Sequence, residues 1–136
     1  MTNLGIQQID PTDEPALRAW WEVGRAASAE RPFEAWPAWE VSRRALPVPR
    51  TDGAMTLVVA REGERVVGAS MLGVFHTDNT HLADLSVYVP PDERRRGVGR
   101  RLLADLEERA RAAGRTTLLG SVGAPVDAES PGSHFA

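Results

Sequence analysis

The chain of 136 residues contains no cysteine. Disulfides, thiolate metal sites and a cysteine nucleophile are excluded together, so any group transfer must avoid a cysteinyl intermediate. Long apolar runs are also missing: none approaches the roughly 20 residues that a membrane helix needs. The opening "MTNLGIQQIDPTDE" lacks the basic-then-apolar order of a signal peptide. No membrane partner is expected, and the expected address is cytoplasmic. Nor is there a surplus of positive charge: the formal net charge is −3, which disfavours bulk binding to nucleic acid. Histidines are few, with His76 and His81 in turns, and nothing has metal-ligand spacing, so no metal is expected.

What is present is the composition of one soluble globular domain, 1–136, with 42% hydrophobic and 26% charged residues. The 12 glycines and 10 prolines imply many turns. There is no internal repeat and no low-complexity tract.

"LGIQQI" (4 to 9) alternates like a strand and stops at "DPTDEP", where Thr12, Asp13 and Glu14 suit the start of a helix. That helix carries Leu17, Trp20, Trp21, Gly24 and Ala27 on one stripe and is expected to end before Pro32. A brief helix is predicted from Pro37, placed in its first turn, to Ala45. The runs 55 to 62 and 64 to 76 read as a hairpin joined at Gly63, and 81 to 89 as a further strand. In that strand Leu85, Val87 and Val89 alternate with Asp84, Ser86 and Tyr88. A helix follows from Gly97 to about Ala113, with Val98, Leu102, Leu103, Leu106 and Ala110 on its apolar face and Gly114 as its stop. "TTLLGSV" (116 to 122) is one more strand. The order predicts an α/β (α+β) fold: a mixed, mostly antiparallel sheet flanked by helices, with one right-handed β-α-β crossover.

The turn inside that crossover, "VPPDERRRGVGRRLL", is the most informative stretch. A helix start exposes backbone N–H groups with no partner in the helix, and the helix dipole adds positive charge there. Gly97 and Gly99 let a phosphate approach the backbone. Arginines at 94, 95, 96, 100 and 101 add charge-assisted bonds. Two glycines in a first turn cost roughly 1 kcal/mol each against alanine, which asks for a reason. A di- or polyphosphate ligand is the natural reading. A dinucleotide fingerprint fails because Leu102 stands at its third glycine, and a P-loop fails for want of Gly-Lys-Ser/Thr.

The stretch resembles the coenzyme A site of the GNAT superfamily of N-acetyltransferases. Its signature is Arg or Gln, two residues, Gly, one residue, Gly or Ala, here Arg94, Arg95, Arg96, Gly97, Val98, Gly99. The likeness runs upstream through "VYVPPDERRRGVGRRLL" and downstream through "GRTTLL", and "DNTHLADLSVYV" looks like the first half of the tandem-domain members. The resemblance implies acetyl-CoA as co-substrate, with its pyrophosphate on residues 94 to 100, Arg100 included. It also implies that the pantetheine arm pairs with exposed strand backbone from Leu85 to Val89, so Val87, Tyr88 and Val89 are candidate cofactor contacts. A backbone N–H near Val89 is expected to stabilise the oxyanion.

Direct attack by an amine calls for a base or a water wire to one, and Asp84 is the candidate catalytic carboxylate. An alternative alignment puts the family's acid on Ala83, and a slip of one residue points to the other sheet face. The family's tyrosine, which protonates the leaving thiolate, would fall on Ala136, after Phe135; the single tyrosine, Tyr88, is not assigned that role. The resemblance implies further strands after residue 122, so the domain is expected to be incomplete at its C-terminus. A homodimer or a second acetyltransferase-like domain is expected to cover the open edge at "TTLLGSV".

The implied acceptor is a primary amine of a small molecule or peptide. Trp36 and Trp39, flanked by Glu34 and Glu40, are candidates to line its site, although ordinary packing also accounts for all four tryptophans. The alternative function is a non-catalytic acyl-CoA-binding or regulatory half-domain.

Overall fold

The computed structural model describes residues 4–29, 36–94 and 97–123, with side chains through Gly120. Arg95, Arg96, Glu34, Pro32, Phe135 and Ala136, on which some of the expectations above rest, lie outside the described residues.

The elements follow in the order β1 (Leu4–Ile9), α1 (Glu14–Ser28), α2 (Trp39–Ala45), β2 (Gly53–Glu62), β3 (Arg65–Phe75), β4 (Leu82–Tyr88), α3 (Val98–Ala112) and β5 (Thr117–Gly123). A single 3-10 turn, Pro91–Glu93, precedes α3. The sheet order is β1-β2-β3-β4-β5, antiparallel except for the β4/β5 pair. Strand, α3 and parallel strand thus form the expected β-α-β unit.

Local chemistry explains the boundaries. α1 begins where the Asp13 carboxylate accepts a hydrogen bond from the Ala16 N–H at 3.4 Å, an N-cap that satisfies one of the unpaired donors of the first turn. α3 ends at Gly114, whose φ of +77° admits the left-handed conformation. There the Arg115 N–H reaches the Ala110 carbonyl at 3.0 Å and the Gly114 N–H reaches that of Arg111 at 2.9 Å, the paired bonds of a Schellman stop. The brief helix starts later than expected. Pro37 stays outside it, Ala38 is its cap, and the Pro37 carbonyl instead accepts from Trp21 Nε1 at 2.9 Å.

Alternation along the strands divides the core into two layers. Val58, Val67, Ala83, Leu85 and Val87 face α3, meeting Val98, Leu102, Leu106 and Ala110. Leu57, Val59 and Ala69 face α1, meeting Leu17, Trp20 and Trp21. Each leucine buried completely in these layers contributes about 1.5–3 kcal/mol. A register shift after Ala60 leaves Val67 as the extra residue of β3, so Val67 and Gly68 both turn toward α3. At Gly68 an added Cβ would stand 2.7 Å from Val98 Cγ1 and 2.8 Å from Leu102 Cδ1. The close seat of α3 on the sheet depends on that missing side chain.

Candidate functional site

The β4–α3 turn is built around Gly97. It is the N-cap of α3 with φ +78°, and among the described residues other than its chain neighbours nothing lies within 4 Å of where its Cβ would be. A left-handed φ is costly for a residue with a Cβ, and the open space above the turn is where a ligand can approach the backbone. The first bond within α3 runs from the Arg101 N–H to the Gly97 carbonyl at 3.0 Å. The N–H groups of Val98, Gly99 and Arg100 therefore have no acceptor in the helix. Arg100 is exposed beside them. This cradle of amides and positive charge fits a pyrophosphate.

At Gly99 a Cβ would meet Val89 Cγ2 at 3.4 Å and Val87 Cγ1 at 3.9 Å, ordinary van der Waals contact, so packing against β4 does not by itself call for a glycine. The side chain of Arg94, expected on the phosphate, is directed elsewhere. Its Nε donates to the Val89 carbonyl at 3.0 Å and its Nη2 to the Ala27 carbonyl at 3.5 Å. The guanidinium joins the end of α1 to the end of β4, at a carbonyl just past the sheet ladder. Arg101, in turn, reaches the Leu4 carbonyl of β1 at 3.3 Å.

A contact absent from the sequence reading holds the turn from behind. Glu93 is 5% exposed and meets the Arg65 guanidinium with both oxygens, Nη2 to Oε1 at 3.3 Å and Nη1 to Oε2. A two-pronged arginine–carboxylate pair is geometrically specific. It fastens the 3-10 turn to the β2–β3 hairpin.

The expectation of exposed strand backbone from Leu85 to Val89 is corrected. β4 is paired with β3 from Ala83 to Tyr88 and with β5 from Leu82 to Tyr88, so both edges are occupied up to Tyr88. Val89 is the first residue past the paired stretch. The Val87 side chain is fully buried toward α3, and Val89 is 4% exposed. The Tyr88 ring belongs to the opposite face, edge-on to Trp36 at 5.0 Å and to Trp20 at 6.3 Å between centroids.

Register places Asp84 on that same face. Across β2, β3 and β4 the rows read Met55–Gly73–Asp84, Leu57–Met71–Ser86 and Val59–Ala69–Tyr88. Ala83, the alternative position, is buried under α3. Asp84 is largely exposed, yet partial desolvation raises its pKa above the ordinary 3.8. A raised carboxylate pKa means that ionisation is easier in the unfolded chain. Asp84→Asn is therefore expected to raise the melting temperature at neutral pH. The gain should disappear as pH falls below the ordinary value of 3.8, where both forms are uncharged, and calorimetric melts across pH check this.

Beside Tyr88, between the sheet and helices α1 and α2, lies a cavity of about 400 Å³ with Met55 and Met71 on its sheet side and Trp20 and Trp36 among its walls. Trp36 lines it, but Trp39 does not. Trp39 stacks near Trp21 at 5.8 Å, and the Arg18 guanidinium lies over both rings at 4.8–4.9 Å. Glu40 pairs with Arg43 at 2.9 Å and with Arg44 at 3.8 Å, so it is not committed to attracting a cation. Among the described residues no group of His, Asp and Glu is placed to hold a metal, and no helix is long and apolar enough to cross a membrane.

A mixed sheet with this crossover and this glycine-capped turn is the arrangement of an acyl-group transferase fold. The chain belongs to the acetyltransferase (GNAT) family, whose sequence profile matches residues 14–128. It is similar to a tandem GNAT protein from the clavulanic acid biosynthesis pathway, with TM-score 0.76 and 30% identity, over 87% of this chain and 36% of that one. It thus spans about a third of that tandem protein. It also resembles an aminoglycoside acetyltransferase from an uncultured soil metagenomic sample, solved with sisomicin, with TM-score 0.66 and 18% identity, over 87% of this chain and 76% of that one. An aminoglycoside N-acetyltransferase solved in complex with CoA gives TM-score 0.64 and 14% identity, over 89% and 78% of the two chains. No curated protein matches the chain in sequence.

Proposed function

We infer that the domain is an acetyl-CoA-dependent N-acetyltransferase acting on a primary amine of a small molecule. The observation that carries this reading is the open, left-handed Gly97 cap beside three helix-start amides, in a chain of the acetyltransferase family. Gly97, Val98, Gly99 and Arg100 would hold the pyrophosphate, with Arg95 and Arg96 adjoining in sequence. Arg94 would act by positioning the turn. Coenzyme A supplies the acetyl group as a thioester, an acyl donor that an amine can attack directly.

We assign the developing negative charge on the carbonyl oxygen to a backbone N–H near Val89, the first residue past β4. The amine nitrogen forms the new N–C bond as the C–S bond breaks; one proton leaves the nitrogen and one reaches the thiolate sulfur. Asp84 lies four positions before Tyr88, about 13 Å along a strand, so Asp84 would take the proton through intervening waters. Its raised pKa suits a base better than an ordinary aspartate.

The test is release of free CoA thiol from acetyl-CoA in the presence of phenethylamine or tyramine. Asp84→Asn is expected to lower kcat by about 10²-fold or more with the KM for acetyl-CoA unchanged. A second reading, a CoA-binding half-domain without activity, draws on the pairing of β4 along both edges up to Tyr88. It predicts CoA binding with no thiol release for any amine.

A further inference from the structure

The two-pronged contact between Arg65 and Glu93 serves the turn more than the hairpin. β2 and β3 are paired to their tips, where Glu62 faces Arg65, so the hairpin is closed by its own ladder. The 3-10 turn Pro91–Glu93 lies outside sheet and helix. Among the described residues its backbone bonds run from the Glu93 N–H to the Pro90 carbonyl at 3.0 Å and from the Arg94 N–H to the Pro91 carbonyl at 3.3 Å, bonds of the less favourable 3-10 geometry. Two consecutive side chains fasten it from different sides. Arg94 reaches the end of β4 and the end of α1, and Glu93 meets Arg65 with both oxygens. Gly97 follows four positions after Glu93, at most about 14 Å along the chain. Where the chain arrives at the α3 cap is therefore constrained from the hairpin side by this pair.

Charge gives the pair a second consequence. Glu93 is 5% exposed, whereas the Arg65 side chain is 59% exposed, so a cation at the surface faces a buried carboxylate. A pyrophosphate on the same turn would feel that carboxylate, because buried charges are weakly screened. The Arg65 guanidinium offsets it. We propose that Arg65 is a positioning residue for coenzyme binding: acting through Glu93, it fixes the turn that presents the amides beside Gly97 and balances the charge behind them. The proposal rests on the coenzyme reading above. A pair that only added stability would move the melting temperature and leave the affinity of the folded protein unchanged.

The test is calorimetric titration of the full chain with CoA, at a temperature where thermal melts show each protein folded. Arg65→Met keeps an apolar stem and removes the donors, and it is expected to bind CoA about tenfold more weakly than the wild type. Arg65→Lys keeps the charge and one bond to the carboxylate, so it is expected to recover most of that loss. Glu62→Gln alters the other partner of Arg65, 3.4 Å from its Nη2, and is expected to bind CoA as the wild type does. Should Arg65→Met not fold, Arg65→Gln serves in its place, with one donor and no charge, and is expected to lose about fivefold. Wild-type affinity in Arg65→Met, or in Arg65→Gln where that variant stands in, would overturn the proposal alone. So would a loss in Glu62→Gln as large as that in the Arg65 variant, which would place the effect in the hairpin and not in Glu93. No CoA binding by the wild type would overturn the coenzyme reading, and this proposal with it.

Discussion

Gly97→Val is expected to weaken CoA binding by about a hundredfold while lowering stability by only about 1–2 kcal/mol. The two effects separate because of where the missing side chain would be. Its Cβ meets none of the described residues beyond its chain neighbours within 4 Å, so folding loses mainly the backbone preference at φ +78°. The ligand loses more, since a branched side chain would stand in the space a pyrophosphate needs and would pull the following amides out of line. Gly97→Asn refines the comparison. Asparagine tolerates left-handed backbone, so its stability should stay near wild type while its affinity still falls, since the Cβ and amide remain in the cradle. Titration calorimetry with CoA and thermal melts of the three proteins supply both quantities.

Trp20→Ala is expected to cost about 3–5 kcal/mol, lowering the melting temperature by roughly 10 °C or more for a domain of this size. Trp20 is 3% exposed and its Nε1 donates to the Ser70 carbonyl at 2.9 Å inside the sheet. Removing the ring opens a large void between α1 and the sheet, and leaves that carbonyl without its donor. It also removes the neighbour of Trp36, 5.6 Å away between centroids. CoA affinity should fall far less than stability, because the Gly97 turn rests on the α3 layer. A scanning-calorimetry melt, paired with CoA titration, checks the two halves of the prediction.

The sequence showed the elements whose pattern is local. Leu17, Trp20, Trp21, Gly24 and Ala27 announce a helical stripe, and all five are buried. The alternation of Leu85 and Val87 with Asp84 and Tyr88 correctly assigned faces to β4. The turn was legible because its glycine, its strand and its helix are contiguous. Partners far apart in the chain were not legible. Glu93 reads as one charge in an exposed run until Arg65, 28 residues earlier, is brought to it. Arg94 looks like any other arginine of the cluster until two carbonyls, one from α1, claim it.

Strand pairing was the other hidden quantity. The run "TTLLGSV" shows that a fifth strand exists, but not that it lies beside β4 as far as Tyr88. That register occupies both edges of β4 through Tyr88 and narrows the space assigned to the thioester. The cavity beside Tyr88 could not be anticipated either. Met55 and Met71 lie on different strands, and only the shared sheet face puts both opposite Trp20 and Trp36.

The central claim is that the Gly97 turn holds the pyrophosphate of coenzyme A. Titration calorimetry of the wild-type chain and Gly97→Val with CoA tests it most directly. The account predicts saturable heat with about one CoA per chain for the wild type and about a hundredfold loss for the variant. No heat from the wild type at about millimolar CoA, or equal affinity in the two proteins, would contradict it.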